Sequence, residues 1–179
     1  IIVLTRELMM DLDDPRTYKD LDPSDMHQRI AGLPQQCRQA WENAIKLAMP
    51  EGHRQVNRVI VAGMGGSAIG GDLMADLVSV EDSLSITTVR DYTLPLWVDS
   101  KTLVIVASYS GETEETISAF QEALLRDARI VVITKKGQLQ RQAKSKNLPM
   151  LTVDFRGEPR TALGYSFIAP LGILTRLGL

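Results

Sequence analysis

Cysteine is almost missing from this sequence: Cys37 is the only thiol in 179 residues. One cysteine excludes an internal disulfide framework and suits a reducing, cytoplasmic setting. Cys37 falls in a helical pattern with no histidine beside it, so it reads as a small core residue rather than a nucleophile. Net charge is equally scarce, −2 from 20 basic and 22 acidic residues. That balance offers no basic surface to nucleic acid or to an anionic membrane, and neither is expected as a partner. No apolar run reaches membrane-spanning length, and no signal peptide is apparent. Internal repeats and low-complexity linkers are absent too. So is the Gly-Lys-Ser/Thr of the nucleotide-triphosphatase phosphate loop.

What is present is a chain with 44% apolar residues, enough to bury a core within one domain. It begins at Ile1 rather than Met and ends at Leu179 inside an apolar, helix-like segment. The expectation is a longer natural chain, whose next segment covers an apolar face over Phe167 to Leu179.

Arg6 to Asp22 is acidic and irregular and reads as a surface arm. Ser24 is the natural cap of a helix carrying a Met26, Ile30, Leu33 stripe, which Pro34 kinks or restarts. A second helical run buries Cys37, Ala40, Trp41, Ala44, Ile45, Leu47 and Ala48 and stops near Pro50. Five strands follow, over 58–63, 85–89, 103–107, 129–134 and 148–153, with helical patterns between them. The connections are too long for hairpins. This alternation predicts an α/β fold, a three-layer αβα sandwich around a five-stranded parallel sheet, preceded by N-terminal helices. Residues 1–50 then form an arm and helices packed on a domain spanning 51–179. Ligands of such sheets sit beyond the carboxyl ends of the strands.

Two loops occupy that position. After the third strand, Ser108, Ser110 and Thr113 place three hydroxyls within six residues around Gly111, and a helical pattern begins at Glu112. Hydroxyls, first-turn amides and the positive end of a helix dipole converge there, which suits a phosphate or another small oxyanion. A plain cap by Ser110 or Thr113 would need only one hydroxyl. After the first strand, five glycines occur in the nine positions from Gly63 to Gly71, before a helix expected from Leu73. So many glycines imply close backbone approach. Gly63-x-Gly65-x-x-Ala68 also fits a loose dinucleotide fingerprint, which would make the chain an oxidoreductase domain. That reading lacks a clear ribose-gripping acid, since Asp91 comes late and follows Arg90, and it leaves the hydroxyl loop unexplained. Arg160, after Pro159, has a restricted extended backbone, and surface and cleft placements are equally open to it.

Gly63-Met-Gly-Gly-Ser-Ala-Ile-Gly-Gly-Asp72 and Ser108-Tyr-Ser-Gly-Glu-Thr113 together resemble the sugar isomerase (SIS) domain family. The chain further resembles the first half of the bifunctional phosphoglucose/phosphomannose isomerases, from Leu12-Asp-Asp-Pro through Ile30-x-x-Leu-Pro-x-Gln36 to Pro159-Arg160 and Gly164-Tyr165. The resemblance implies aldose–ketose isomerisation of a hexose 6-phosphate through an enediol, with no metal and no nucleotide cofactor. It implies that Ser67, Ser108, Ser110 and Thr113 hold the phosphate, with the Gly65 and Gly66 amides. Arg160 would stabilise the developing enediolate. The family's base, histidine and lysine come from later sequence, so a second SIS domain or a homodimer partner is implied and this chain alone is expected to be inactive. His27 and His53 match neither role. A non-catalytic phosphosugar-binding module, like those attached to regulators, is the alternative.

Overall fold

The computed structural model describes residue 11, residues 13–79 and residues 84–179. The opening Ile1 to Thr5 lies outside them. Three N-terminal helices come first: α1 (Pro15–Leu21), α2 (Met26–Ala31) and α3 (Leu33–Ile45). Five strands follow, each but β2 succeeded by a helix: β1 (Arg58–Gly63), α4 (Ile69–Ser79), β2 (Ser85–Val89), β3 (Thr102–Ser108), α5 (Glu114–Leu125), β4 (Arg129–Thr134), α6 (Gly137–Ser145), β5 (Met150–Thr152) and α7 (Leu163–Leu177). The sheet is parallel throughout, in the order β2-β1-β3-β4-β5. The expected α/β architecture is therefore observed.

Alternation along the central strands sorts the core into two layers. Val59, Val61, Leu103, Ile105, Val131 and Ile133 point to one face, where Ala40 and Ala44 of α3, Met74 of α4 and Ala169 and Ile173 of α7 cover them. Ile60, Ala62, Val104, Val106, Ile130 and Val132 point to the other, under Ala119, Phe120 and Ala123 of α5 and Leu139 and Ala143 of α6. This period of two, with both faces apolar, is what a sheet covered on both sides requires. Phe120 is fully buried, and such a side chain contributes roughly 1.5–3 kcal/mol by leaving water.

Several expectations need correction. The stretch read as an irregular arm contains α1, because Asp14 caps it at Arg16 N and Pro15 supplies a preset first-turn φ. Ser24 does not cap α2. Asp25 occupies the N-cap in a left-handed conformation, φ 58°, and the Asp22 carboxylate accepts from His27 N at 2.7 Å. The stripe on α2 is not buried, and Ile30 is exposed. Pro34 restarts the helix, but α3 ends at Ile45 and buries Gln36, Ala40 and Ala44. Cys37, Trp41, Ile45 and Leu47 are only half-buried, and Ala48 is exposed.

The largest correction concerns the C-terminal apolar segment. It is not a bare face awaiting another domain, because α3 and α4 pack along α7 and bury Ala169, Ile173, Leu174 and Leu177. Gly70 makes the α4 contact possible. A Cβ on Gly70 would lie 1.8 Å from Ser166 O. Pro170, inside α7, has no N–H to offer that same carbonyl four residues earlier. Helix α4 therefore starts at Ile69, not Leu73, with Gly70 and Gly71 inside it, and the cost of glycine in a helix is offset by close packing. On α4, Ile69, Leu73 and Leu77 are exposed.

Candidate functional site

In the order β2-β1-β3, successive connections from β1 leave in opposite directions, and the crevice beyond the ends of β1 and β3 is the switch point where such folds bind ligands. Gly63 and Ala107 are paired at that end of the sheet. The glycine loop and the hydroxyl loop therefore emerge side by side.

The hydroxyl loop is built from its own residues. Ser108, last in β3 and 2% exposed, has its Oγ 3.0 Å from Thr113 Oγ1 and 3.5 Å from Ser110 Oγ. Ser110 Oγ is in turn 3.5 Å from Thr113 Oγ1. Gly111 N donates to Ser108 Oγ at 3.0 Å, and Glu112 N to Ser110 Oγ at 3.2 Å. Gly111 takes φ 70°, a conformation that L side chains avoid, and a Cβ there would meet Lys136 O at 1.8 Å. Thr113 stands at the N-cap of α5, yet its hydroxyl accepts nothing from the first turn. It turns to the other two hydroxyls instead, which leaves the leading amides of α5 without a side-chain cap. Uncapped amides beside three clustered hydroxyls can hold an oxyanion through charge-assisted hydrogen bonds.

The glycine loop meets this cluster through Ser67, whose Oγ accepts from Tyr109 N at 3.3 Å. Gly65, at φ 49°, has nothing within 4 Å of its Cβ position, so its backbone is open to approach. Gly66, Ser67, Ser108 and Tyr109 line one crevice together with Pro159 and Tyr165. Ser110 and Thr113 join them through Ser108. Arg160 is exposed in a 3-10 turn, Pro159–Thr161, that packs on the glycine loop. A Cβ on Gly66 would lie 2.9 Å from Pro159 O and 3.1 Å from Arg160 N. The backbone of Arg160 is thus at the crevice rim. Its side chain makes no ion pair among the described residues.

Sequence reasoning missed the brace behind the crevice. Lys135 Nζ donates to Phe155 O at 2.6 Å and to Tyr109 OH at 3.2 Å, and Tyr109 OH donates to Phe155 O at 2.7 Å. These bonds hold the ring of Tyr109, the residue between Ser108 and Ser110 in the chain, toward Lys135 and Phe155. The available signal was the place of Lys135, immediately after a predicted strand at the ligand-binding edge.

The nearby carboxylates face elsewhere. Glu112 Oε1 accepts from Gln138 N at 2.9 Å and lies 3.7 Å from Arg141, while Glu114 accepts from Tyr92 OH at 3.4 Å. The Glu115 charge first, then burial and the Glu114 charge, raise the Tyr92 phenol above its usual range. Asp72 is engaged as well. It pairs with Arg90, which holds its carboxyl below the usual range. Asp91 accepts from Tyr92 N within its own loop, so neither acid is placed as a ribose grip. His27 is exposed, and His53 is buried with Nε2 3.1 Å from Ile130 O, at the start of β4 and far along the strand from the crevice. Among the described residues no cluster of three or more His, Cys, Asp or Glu suits a metal ion, and no helix is long and apolar enough to cross a membrane.

Comparison with known proteins agrees with this geometry. The SIS domain family profile matches residues 54–152. The bifunctional phosphoglucose/phosphomannose isomerase of Caldicellulosiruptor bescii is 41% identical over 154 residues, which cover 86% of this chain and 45% of that protein. A hypothetical protein of Thermus thermophilus shares the fold with TM-score 0.64 at 20% identity, over 89% of this chain and 45% of its own. The sugar isomerase domain of the RpiR transcription factor of Sphaerobacter thermophilus does so with TM-score 0.57 at 18% identity, over 89% and 92%. The chain spans less than half the length of the first two curated relatives it matches. With both strand-end loops inside or beside the matched span, and with the parallel five-stranded sheet that presents them, the chain belongs to the SIS domain family.

Proposed function

We propose that this chain is the phosphosugar-binding half of a cytoplasmic aldose–ketose isomerase acting on hexose 6-phosphates, as the phosphoglucose/phosphomannose isomerase relatives are named. In this reading residues 51–179 form the binding domain, and the helices of the first fifty residues pack on it. The observation that carries it is the convergence of Ser108, Ser110 and Thr113 hydroxyls, 3.0–3.5 Å apart, at an uncapped helix start in the switch-point crevice. The phosphate sits against these hydroxyls and the α5 amides, with Ser67 and the Gly65 and Gly66 amides closing from the other loop. Arg160, at the rim, faces the sugar and stabilises negative charge as the enediolate develops; a permanently charged, planar guanidinium suits that task.

Proton transfer between neighbouring carbons needs a base within hydrogen-bond reach. Glu112, Glu114 and Asp72 are each turned to other partners, so the base comes from a second SIS domain or from a second copy of this chain. A non-catalytic phosphosugar-binding module would show the same cluster without a base. Calorimetric titration with fructose 6-phosphate tests the binding: the chain binds and Ser110→Ala does not bind equally well. Equal affinity would remove the phosphate site. A coupled assay of the chain, alone and joined to a second SIS domain, then separates isomerase from module. The isomerase turns over only when joined, and the module in neither form. A thermal shift with NAD or NADP at micromolar concentration would restore the oxidoreductase reading.

A further inference from the structure

The turn that carries Arg160 is gripped from behind by the N-terminal helices. Arg29 of α2 pairs with Glu158, and only 25% of the arginine side chain is exposed. This guanidinium is the main reason the Glu158 carboxyl is held below its usual range. From α3, Gln36 Nε2 donates to Thr161 O at 2.9 Å. The two contacts bracket Arg160 at two residues before and one after. Between them the turn closes on itself, with Thr161 N and Thr161 Oγ1 both donating to Glu158 O, at 2.9 and 2.8 Å. Its inner side abuts Gly66 through Pro159 O. Everything about the segment is tied down except the Arg160 side chain.

Gln36 is informative because it is a poor choice for packing alone. It is 7% exposed, and its Oε1 has no hydrogen-bond partner among the described residues. An orphaned buried acceptor costs free energy that leucine at this position would avoid. What glutamine supplies in exchange is the one bond to Thr161 O. A three-residue turn on the surface otherwise has few bonds to resist local opening. A group that stabilises developing charge tolerates little displacement, since misplacement by about 1 Å costs up to a hundredfold.

We infer that Arg29 and Gln36 are positioning residues, which fix the Arg160 turn against the glycine loop and so aim its guanidinium at the sugar. The inference rests on the function proposed above. It also gives helices outside the strand-helix alternation a part in this site: through Arg29 and Gln36 they hold the turn that packs on the glycine loop.

The test combines hydrogen exchange over residues 157–162 with calorimetry, using fructose 6-phosphate and inorganic phosphate as probes. Arg29→Met and Gln36→Leu speed exchange at the Thr161 and Ala162 amides, which bond Glu158 O and Pro159 O. They weaken fructose 6-phosphate by roughly three- to tenfold, as for residues in direct contact, and leave inorganic phosphate unchanged. In an Arg160→Ala background the same substitutions have no further effect on sugar-phosphate affinity; with Arg160 present, adding Glu158→Arg to Arg29→Glu restores the affinity that Arg29→Glu alone loses. Unchanged exchange in both variants overturns the inference, as does an equal loss of affinity with and without Arg160. Arg29 lies on a helix with no buried residue, so its variants remain informative if Gln36→Leu fails to fold. If the unaltered chain binds no sugar phosphate, the functional reading fails separately, and exchange alone judges the clamp.

Discussion

The hydroxyl loop and the Arg160 turn face one crevice but are held in opposite ways. The bonds among the three hydroxyls, and those they accept from Gly111 N and Glu112 N, join residues at most five apart. The backbone around them is also held by Leu139 N donating to Gly111 O at 3.0 Å and by Tyr109 N donating to Ser67 Oγ at 3.3 Å. The Arg160 turn takes its outer contacts from residues 125 and 129 positions away, Gln36 and Arg29. A locally closed loop forms with its strand and helix and stays formed while they do. A turn held from a distance is positioned only after the domain has assembled. On the function proposed above, the shape of the hydroxyl cluster is set mainly by near neighbours in the chain, and the placing of Arg160 by distant ones.

The comparison breaks most severely at Gly111. Gly111→Ala puts a side chain into a left-handed conformation, worth about 1–2 kcal/mol, and drives it into Lys136 O as well. We expect loss of phosphate binding together with a lowered melting temperature, read by calorimetry and thermal unfolding. Ser110→Ala is the cleaner local lesion. Removing one hydroxyl bonded to a charged ligand costs about 1.5–3 kcal/mol, so sugar phosphate and inorganic phosphate should both bind roughly ten- to a hundredfold more weakly, with the melting temperature unchanged. Arg160→Ala sharpens the contrast from the other side. It should weaken fructose 6-phosphate by roughly tenfold and leave inorganic phosphate nearly unaffected. Equal losses for both probes would mean that the two regions hold one and the same group.

The smallest effect serves as a control away from both loops. Burial keeps the His53 imidazole below its ordinary pKa in the folded chain, with the Ile130 carbonyl opposing and Arg129 adding to the shift. The unfolded chain then binds the extra proton first, so stability is full above the ordinary value near 6.5 and falls as pH drops below it. His53→Leu should flatten thermal stability between pH 7 and pH 5 without changing phosphate affinity measured at pH 7.5.

Much of this was legible in the residues. Strands β1 and β4 match their expected bounds, because a strand buried on both faces is almost continuously apolar, and β2 matches as well although it is an edge strand in which only Val89 is buried. The three hydroxyls were legible because the bonds among them join residues within six consecutive letters. Legibility failed where partners are distant. Phe167 to Leu179 reads as an uncovered face until α3 and α4 are seen lying on α7, and the fit of Gly70 against Ser166 O depends on two helices meeting. The brace of Lys135 on Tyr109 and Phe155, and the grip of Arg29 and Gln36 on the Arg160 turn, were invisible for the same reason.

By itself, then, the sequence determined the αβ alternation, the parallel sheet and three clustered hydroxyls at one strand end. Those depend on periodicity and on neighbours a few residues apart. Only the tertiary structure decided that the glycine loop meets that cluster through Ser67, that the nearby carboxylates are turned away, and that Arg160 stands at the rim. Each of those depends on side chains brought together across the sheet, whose contacts no local pattern encodes.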